Sequence, residues 1–367
     1  MKFHIFIVAS IASFALGAPA MAGDLVFTDD SGASATLYGQ INLTYQGVDD
    51  GEKTYNEFVD NSNSTSRVGL WVELPVTEGL FRFNFETGLG LRNTAESSQN
   101  DNVDFFDWRE TDIRKGEGVF VSDFGSLWLG QGSMATDGLA EIDNSGTTLA
   151  GYVNLGDTAG SFQFRNGAVL SGTSIGSAYK DFDGARRMRV RYDTPDFRGF
   201  MLSAAYGQEV LSKGDDADYY DAAIRYGLAN DTIKLDAGLG YAWKDDSSNT
   251  EQIMASGSVV HLPTGLNITL SGGMADDNGG EFGYVKVGWK GELISFGPSA
   301  ISVDYYDGAD FNVSGSDSSS WGIQAVQNFT DLNLEAYAGY RSFSFDDDTG
   351  ANYHDIGTVL AGARWRF

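Results

Sequence analysis

Alternation of apolar and polar side chains is the dominant pattern of this sequence, and it is clearest over 66–90, SRVGLWVELPVTEGLFRFNFETGLG. The second half of this stretch has a phenylalanine at every other position with polar residues between, and the first half does the same with valine and leucine. A period of two is typical of a β-strand with one apolar and one polar face. Pro75 and Gly79 bracket the connection, so the stretch predicts an antiparallel hairpin.

The same alternation recurs at regular spacing along the rest of the chain. Counting the alternating stretches predicts about sixteen antiparallel strands, an even number that places both chain termini on the same side of the membrane. Outside the hairpin, the clearest predicted strands are 36–46, 108–121, 125–131, 188–192, 233–244, 332–341 and 353–367.

The predicted connections fall into two alternating classes. One class is short, and we expect Pro75, Pro195, Pro263 and Pro298 to lie in these short connections. The other class is longer and rich in Asp, Ser, Asn and Gly. Transmembrane barrels have short turns at one end and longer loops at the other, and they turn their apolar face towards lipid. The sequence therefore predicts an all-β fold, a transmembrane antiparallel up-and-down β-barrel.

The first 22 residues predict a secretory signal peptide. Lys2 supplies the basic start, an apolar run follows, and Ala20-Met21-Ala22 is an A-x-A cleavage site. The apolar run is too short for a transmembrane helix. We expect 1–22 to be removed and 23–367 to form a single barrel domain in the outer membrane of a Gram-negative bacterium.

Composition excludes several other classes of protein. The formal net charge of −27 argues against a nucleic-acid partner, because phosphate contacts need clustered Lys and Arg. Cysteine is absent, so no disulfide contributes to stability. With 42% hydrophobic and 13% aromatic residues the chain is not a disordered acidic polymer.

Five segments in order resemble the general porins of Gram-negative outer membranes, most closely those of alphaproteobacteria. They are TLYGQINLTYQ (36–46), SRVGL with EGLFRFNFETG (66–70 and 78–88), GSLWLGQ (125–131), VRYDTPDFRGFMLSAAYG (190–207) and GARWRF (362–367). The resemblance implies a homotrimer of sixteen-stranded barrels, each with a long third external loop folded into a water-filled lumen. It also implies passive diffusion of ions and small hydrophilic solutes, in contact with membrane lipid and lipopolysaccharide.

Residues 132–186 are the candidate constriction loop, because the alternation stops there for far longer than in an ordinary connection. The acids Asp137, Glu141 and Asp143 lie in it, followed by Asp157. The resemblance implies that such acids face a basic cluster on the barrel wall. Solvated loop charge is the alternative.

Arg67 and Arg82 lie on the polar faces of their predicted strands, so both are expected to line the pore. Arg67 matches the arginine of the porin SR-x-G motif. The alternative is that each arginine only neutralises a neighbouring carboxylate, whether Glu73 or Glu86, for stability.

Three further arginines complete the predicted basic lining. Arg114 stands one position from the basic residue of the porin pattern, and a shift of one residue reverses the face of a strand, so Arg109 or Lys115 could serve instead. Arg189 and Arg191 share one polar strand face at the exit of the loop, beside the basic pair 186–187.

Several aromatic residues could form girdles at the membrane interfaces. Trp71 shares the face of Arg67, so a contact in the lumen is its alternative. The candidates are Trp71, Trp243, Trp289, Tyr340 and Trp365.

Acidic runs in the predicted external loops could bind divalent cations such as calcium, because clustered carboxylates suit hard ions. They are 215–216, 245–246, 276–277 and 346–348. EF-hand spacing is absent, and solvated loop charge is the alternative. No cofactor is otherwise expected.

One enzymatic motif is present, since residues 172–176 fit G-x-S-x-G around Ser174. We expect this stretch to lack the strand-to-helix junction that exposes a nucleophile, and neither His261 nor His354 has a metal-ligand spacing. The sequence therefore predicts a channel and not an enzyme. The alternatives are a solute-selective channel, a purely structural barrel and an outer-membrane hydrolase.

Overall fold

The computed structural model describes residues 25–100, 104–246, 250–276, 279–311 and 313–367, and most of these residues lie in β-strands. The predicted signal peptide lies outside them. No helix in the described ranges is long and apolar enough to cross a membrane.

The two helices are single turns, α1 (Gly156–Ala159) and α2 (Ile175–Ala178). The strands are β1 (Val26–Thr28), β2 (Ser34–Asp49), β3 (Thr54–Asp60), β4 (Arg67–Val76), β5 (Gly79–Gly88), β6 (Ile113–Ser122), β7 (Gly125–Ser133), β8 (Gln163–Asn166), β9 (Val169–Ser174), β10 (Arg186–Asp193), β11 (Phe200–Gln208), β12 (Asp218–Ala229), β13 (Ile233–Asp245), β14 (Thr250–His261), β15 (Leu266–Ala275), β16 (Glu281–Ile294), β17 (Gly297–Ala309), β18 (Asp317–Phe329), β19 (Leu334–Asp346) and β20 (Ile356–Arg366).

The main sheet is antiparallel throughout and closes on itself, because β20 pairs with β2. Its eighteen strands occupy sixteen positions around the wall. On one side of β2, β3 and β4 pair with different halves of this strand and together count as one wall position. On its other side, β20 and β1 share a position in the same way. The predicted sixteen-stranded barrel is confirmed. β8 and β9 form a separate hairpin.

Side-chain direction follows the predicted alternation. On β5, Phe81, Phe83 and Phe85 are each about two-fifths exposed on the outer surface, whereas Asn84 and Glu86 are buried on the inner face. Lipid takes the place of a second apolar layer outside, and the polar faces line the interior.

The barrel closes beside the last residue of the chain. The Gly39 N–H donates to the Phe367 carbonyl at 2.9 Å, and the Phe367 N–H donates back to Gly39 at 3.1 Å. A Cβ on Gly39 would lie 2.5 Å from the Phe367 ring, so only glycine fits this seam.

β3 lies within a stretch that the sequence predicts to be a polar connection. Only one large apolar side chain of this strand, Phe58, faces outward, so the pattern is too weak to recognise. The fourth wall strand also begins at Ile113 and not at 108, because a 3-10 turn, Glu110–Asp112, precedes it.

Two of the four prolines do not lie in connections as predicted. Pro195 and Pro263 are in turns, but Pro75 and Pro298 lie within β4 and β17. Pro75 follows the point where β4 stops pairing with β2, and Pro298 lies beside a register shift in the β16–β17 pair. Proline is tolerated at both places because the ladder is already interrupted.

The two faces of the wall should respond differently to charge. We expect Leu270→Arg, on the outer face at the middle of β15, to lower the free energy of unfolding by about 2–4 kcal/mol, because arginine at the bilayer midplane is costly. Ser126→Arg, on the inner face of β7, is the matched control and should cost much less. Urea titration in lipid vesicles measures both, and equal costs would contradict the assigned orientation.

Candidate pore constriction

The long connection between β7 and β10, residues 134–185, runs inside the barrel along its wall. Near its start, the Thr136 N–H donates to the Asp221 carboxylate of β12 at 2.8 Å. Further on, Ser256 of β14 and Ser271 of β15 donate to loop carbonyls at 2.5 and 2.7 Å. The third loop therefore covers the inner face of the barrel from β12 onwards, as the predicted fold requires.

Asp143, one of the predicted loop acids, lies on the wall side of the loop. Its carboxylate accepts a hydrogen bond from Lys286 of β16 at 2.7 Å, and both side chains are buried. Burial opposes ionisation, but the charge and hydrogen bond of Lys286 prevail and lower the pKa of Asp143. Lys286 also donates to the Gly151 carbonyl at 2.8 Å, so this pair anchors two points of the loop.

A second set of acids forms a group that we call the loop carboxylates: Asp137, Glu141, Asp157, Asp181 and Asp183. Burial, followed by the charges of the other four, raises the pKa of Glu141 well above its usual range. The Asp183 carboxylate accepts from the N–H groups of Gly138 and Ala140 at 2.7 and 2.8 Å. Asp183 therefore joins the outgoing and returning arms of the loop.

Asp157 is a loop carboxylate whose pKa lies near neutral pH. Burial raises its pKa to about 7, assisted by the charge of Asp181, although the Tyr152 hydroxyl donates to it at 2.6 Å. The charges of Arg186 and Arg114 also act on Asp157.

Four arginines form a basic cluster on the wall, and we call them the wall arginines: Arg67, Arg114, Arg186 and Arg364. The charges of the other three act on the guanidinium of Arg67. Arg67 and Arg114 both reach the Glu86 carboxylate, at 3.6 and 2.6 Å. Each of these two side chains is about one-fifth exposed. Arg186 approaches Asp137 of the loop at 3.9 Å.

A β-bulge decides which basic residues of β6 face the lumen. Glu86 pairs with Lys115 and Thr87 with Ile113, so Arg114 is the extra residue between two regular pairs. Its side chain reaches Glu86 from there, and the charge of Lys115 also acts on that carboxylate. Arg109 is exposed in the external loop beside Asp107. The bulge brings both Arg114 and Lys115 to the basic cluster.

Arg82 lies apart from the wall arginines. It pairs with Glu73 at 2.7 Å and stacks over the Trp71 ring, 4.3 Å from the ring centroid. Trp71 therefore contacts the lumen side of the wall, the alternative to a place in a girdle. Trp243, Tyr340 and Trp365 are exposed on the outer surface.

Arg189 and Arg191 lie at the root of the third loop. Arg189 is buried against Glu117, and it also donates to the Ser133 carbonyl at 3.1 Å. Arg191 pairs with Asp193 at 2.8 Å and donates to the Met134 carbonyl at the same distance. The structure thus brings these arginines to the loop anchor and not to the loop carboxylates.

Sequence reasoning missed three members of the two charged groups, Arg364, Asp181 and Asp183. Arg364 lies on the polar face of β20 within the terminal porin-like segment. The alternation of apolar and polar residues along that strand is the signal that could have placed Arg364 in the lumen. The two aspartates lie at the end of the loop, where no periodic pattern fixes a direction.

Ser174 of the G-x-S-x-G stretch lies at a strand-to-helix junction, contrary to the prediction, because β9 ends at this residue and α2 begins after it. The helix is a single turn, and the Ser174 hydroxyl accepts from the Ser177 N–H at 3.2 Å. The hydroxyl therefore serves as a helix cap. His261 lies at the far end of the barrel, where its ring contacts Thr264.

Solved structures of outer-membrane channels are similar to this chain over most of its length. The anion-selective porin of Comamonas acidovorans is 17% identical with a TM-score of 0.60, over 91% of this chain and 100% of that one. OprB of Pseudomonas putida is 10% identical with a TM-score of 0.63, over 92% and 95%. OmpT of Vibrio cholerae in its trimer form is 13% identical with a TM-score of 0.55, over 91% and 99%.

Sequence comparison identifies the family. Among curated proteins no sequence matches this chain. The sequence profile of the Gram-negative porins matches residues 8–348, which is nearly the whole chain. That profile does not test the alphaproteobacterial affinity, which stays a prediction. The closed barrel, the inward loop and the family match agree on a channel. The chain belongs to the Gram-negative porin family and is an outer-membrane channel for passive diffusion.

Proposed function

We propose that the wall arginines and the loop carboxylates form the selective part of the pore. The observation that carries this proposal is their opposition: Arg186 of the wall lies 3.9 Å from Asp137 of the loop. The charges of Arg114 and Arg186 also act on Asp157. Opposite charges across a water-filled gap create a transverse field that orients polar solutes. Ions and small hydrophilic molecules are the solutes that such a gap passes without tight binding.

The channel favours cations in this proposal. The formal net charge is −27, and exposed acids such as Asp216, Asp307 and Asp346 lie at the external end of the barrel. Clustered negative charge raises the local concentration of cations at a pore mouth. The predicted calcium sites stay a prediction; within the described ranges, no group of three or more His, Asp or Glu side chains could hold a metal ion.

The assembly proposed is a homotrimer embedded in outer-membrane lipid and lipopolysaccharide. The trimer form of OmpT supports this state for a barrel of the same fold. The apolar outer surface is what such a protein presents to lipid and to its neighbouring subunits.

Single-channel recording in planar bilayers tests the proposal as a whole. We expect ohmic steps that close in threes, with a modest cation preference when salt differs across the bilayer. Small steps blocked by one solute at low concentration would assign a selective channel instead. Absence of current from the folded protein would contradict the channel.

Removing Arg67 and Arg114 should make the pore more selective for cations. In a water-like dielectric, each arginine repels a cation and attracts an anion by about 0.7 kcal/mol at roughly 6 Å. The double variant Arg67→Ala with Arg114→Ala should therefore raise the cation-to-anion permeability ratio at least about threefold. Reversal potentials give this ratio. Arg109→Ala, an exposed arginine paired with Asp107, is the matched control. An unchanged ratio in the double variant would remove these arginines from the pore.

Cation preference should also depend on pH. Because the pKa of Asp157 is raised to about 7, this carboxyl is mostly charged at about pH 8 and mostly neutral at about pH 6, and the preference should fall as the pH falls. Asp157→Asn should flatten this dependence in reversal-potential measurements.

Asp215→Asn is the control for the pH experiment. A hydrogen bond from Tyr219 lowers the pKa of Asp215, which therefore stays charged over this range. Equal pH dependence in the wild type and in Asp157→Asn would show that Asp157 does not act on passing ions.

A further inference from the structure

The second half of the third loop fills part of the external mouth with a packed structure of its own. It consists of α1, the β8–β9 hairpin and α2, and it shares an apolar cluster with the inner faces of β16, β17, β19 and β20. Phe164 of β8 stacks on Phe345 of β19, with 5.4 Å between ring centroids. The Tyr179 hydroxyl donates to carbonyls of Ser319 and Ser344 at 2.8 and 2.7 Å.

This apolar cluster departs from the composition expected of a barrel interior. Inner faces of water-filled barrels are polar, yet Phe282, Tyr306 and Phe343 point inward near the external end and are buried. The third loop supplies the apolar side chains that cover them. This side of the mouth is therefore built to hold the loop and not to conduct water.

A buried ion pair fastens the hairpin to the external loops. The Arg165 Nε of β8 lies 2.6 Å from the Asp50 carboxylate in the connection between β2 and β3, and the two side chains are 10% and 0% exposed. Arg165 also donates to the Tyr55 hydroxyl at 3.2 Å. On the other side, the His354 N–H donates to the Arg165 carbonyl at 2.8 Å, and Asn166 bridges to Tyr353.

We propose that the β8–β9 hairpin is a size filter at the external mouth and that Arg165 is the residue that positions it. The inference rests on the proposed channel function. The hairpin occupies the side of the mouth bounded by β19, β20 and β2, so solutes enter between it and the opposite wall. Its tip is free of the cluster, with Val169 70% exposed. The filter differs from the charged constriction because it excludes solutes by their size and not by their charge.

Breaking the ion pair should widen the entrance. Removing one partner leaves a buried charge without compensation, so Arg165→Ala should release the hairpin from Asp50. We expect liposome swelling with the trisaccharide raffinose to accelerate by roughly twofold or more relative to the wild type, since the open area of a pore limits the passage of bulky solutes. Swelling with arabinose should change less. Arg109→Ala is the control, because it breaks an exposed ion pair with Asp107 in a neighbouring external loop. It should leave the swelling rates with raffinose and with arabinose unchanged.

A disulfide provides the rescue. Asn166 and Tyr353 are partners in an antiparallel bridge, a spacing that a disulfide can span, and the natural chain contains no cysteine. In the Arg165→Ala background, Asn166→Cys with Tyr353→Cys should restore exclusion of raffinose when oxidised and lose it again on reduction. A variant that merely misfolded would not respond to the reductant in this way.

Two outcomes separate the inference from the function on which it rests. Raffinose entry that is the same in the wild type, in Arg165→Ala and in both redox states of the cross-linked variant would overturn the size filter while leaving the channel intact. A folded wild type that passes neither arabinose nor ions would overturn the channel itself.

Discussion

Closure of the sheet is the constraint on which the rest of this structure depends. In lipid every backbone N–H and C=O group must be paired within the protein, so a sheet can cross the membrane only without free edges. β2 achieves this by pairing with β20 on one side and with β3 and β4 on the other, and the Gly39–Phe367 contact completes the seam. Once the sheet is closed, the period of two sorts side chains into a lipid face and a lumen face. The polar lumen is therefore a consequence of closure.

The polar lumen in turn determines the path of the third loop. A loop in the interior must satisfy its own backbone groups, and the wall offers hydroxyls and charges at regular intervals for this purpose. Asp221 of β12, Ser256 of β14 and Lys286 of β16 each bind the loop. Ion pairs such as Lys286 with Asp143 are buried, and their role is to specify where the loop lies more than to add net stability. Charged side chains that do not anchor the loop are the ones that remain accessible to solvent in the lumen.

Sequence reasoning predicts the regular part of this molecule and loses accuracy where regularity ends. The hairpin of β4 and β5 is predicted because each side chain alternates without interruption over both strands. Arg114 could not be assigned a face, since one extra residue at a bulge reverses the parity of everything beyond it. Asp143 was indistinguishable from Glu141 in the sequence, yet one binds Lys286 on the wall and the other lies among carboxylates. The contact that distinguishes Asp143 joins it to a residue 143 positions further along the chain.

The two charged sides of the constriction are kept from collapsing onto each other by separate attachments. On the wall, Arg67 and Arg114 share the single carboxylate of Glu86, and strand pairing fixes all three backbones. Two cations on one anion leave positive charge uncompensated towards the lumen. On the loop, Asp183 joins the two arms through backbone N–H groups, so its carboxylate is held by the loop itself. The ion pair across the gap is a long one, Arg186 with Asp137 at 3.9 Å. Close pairing of every charge across the gap would neutralise both sides and close the path. The transverse field that we propose therefore depends on the attachment of most charges to their own side of the gap.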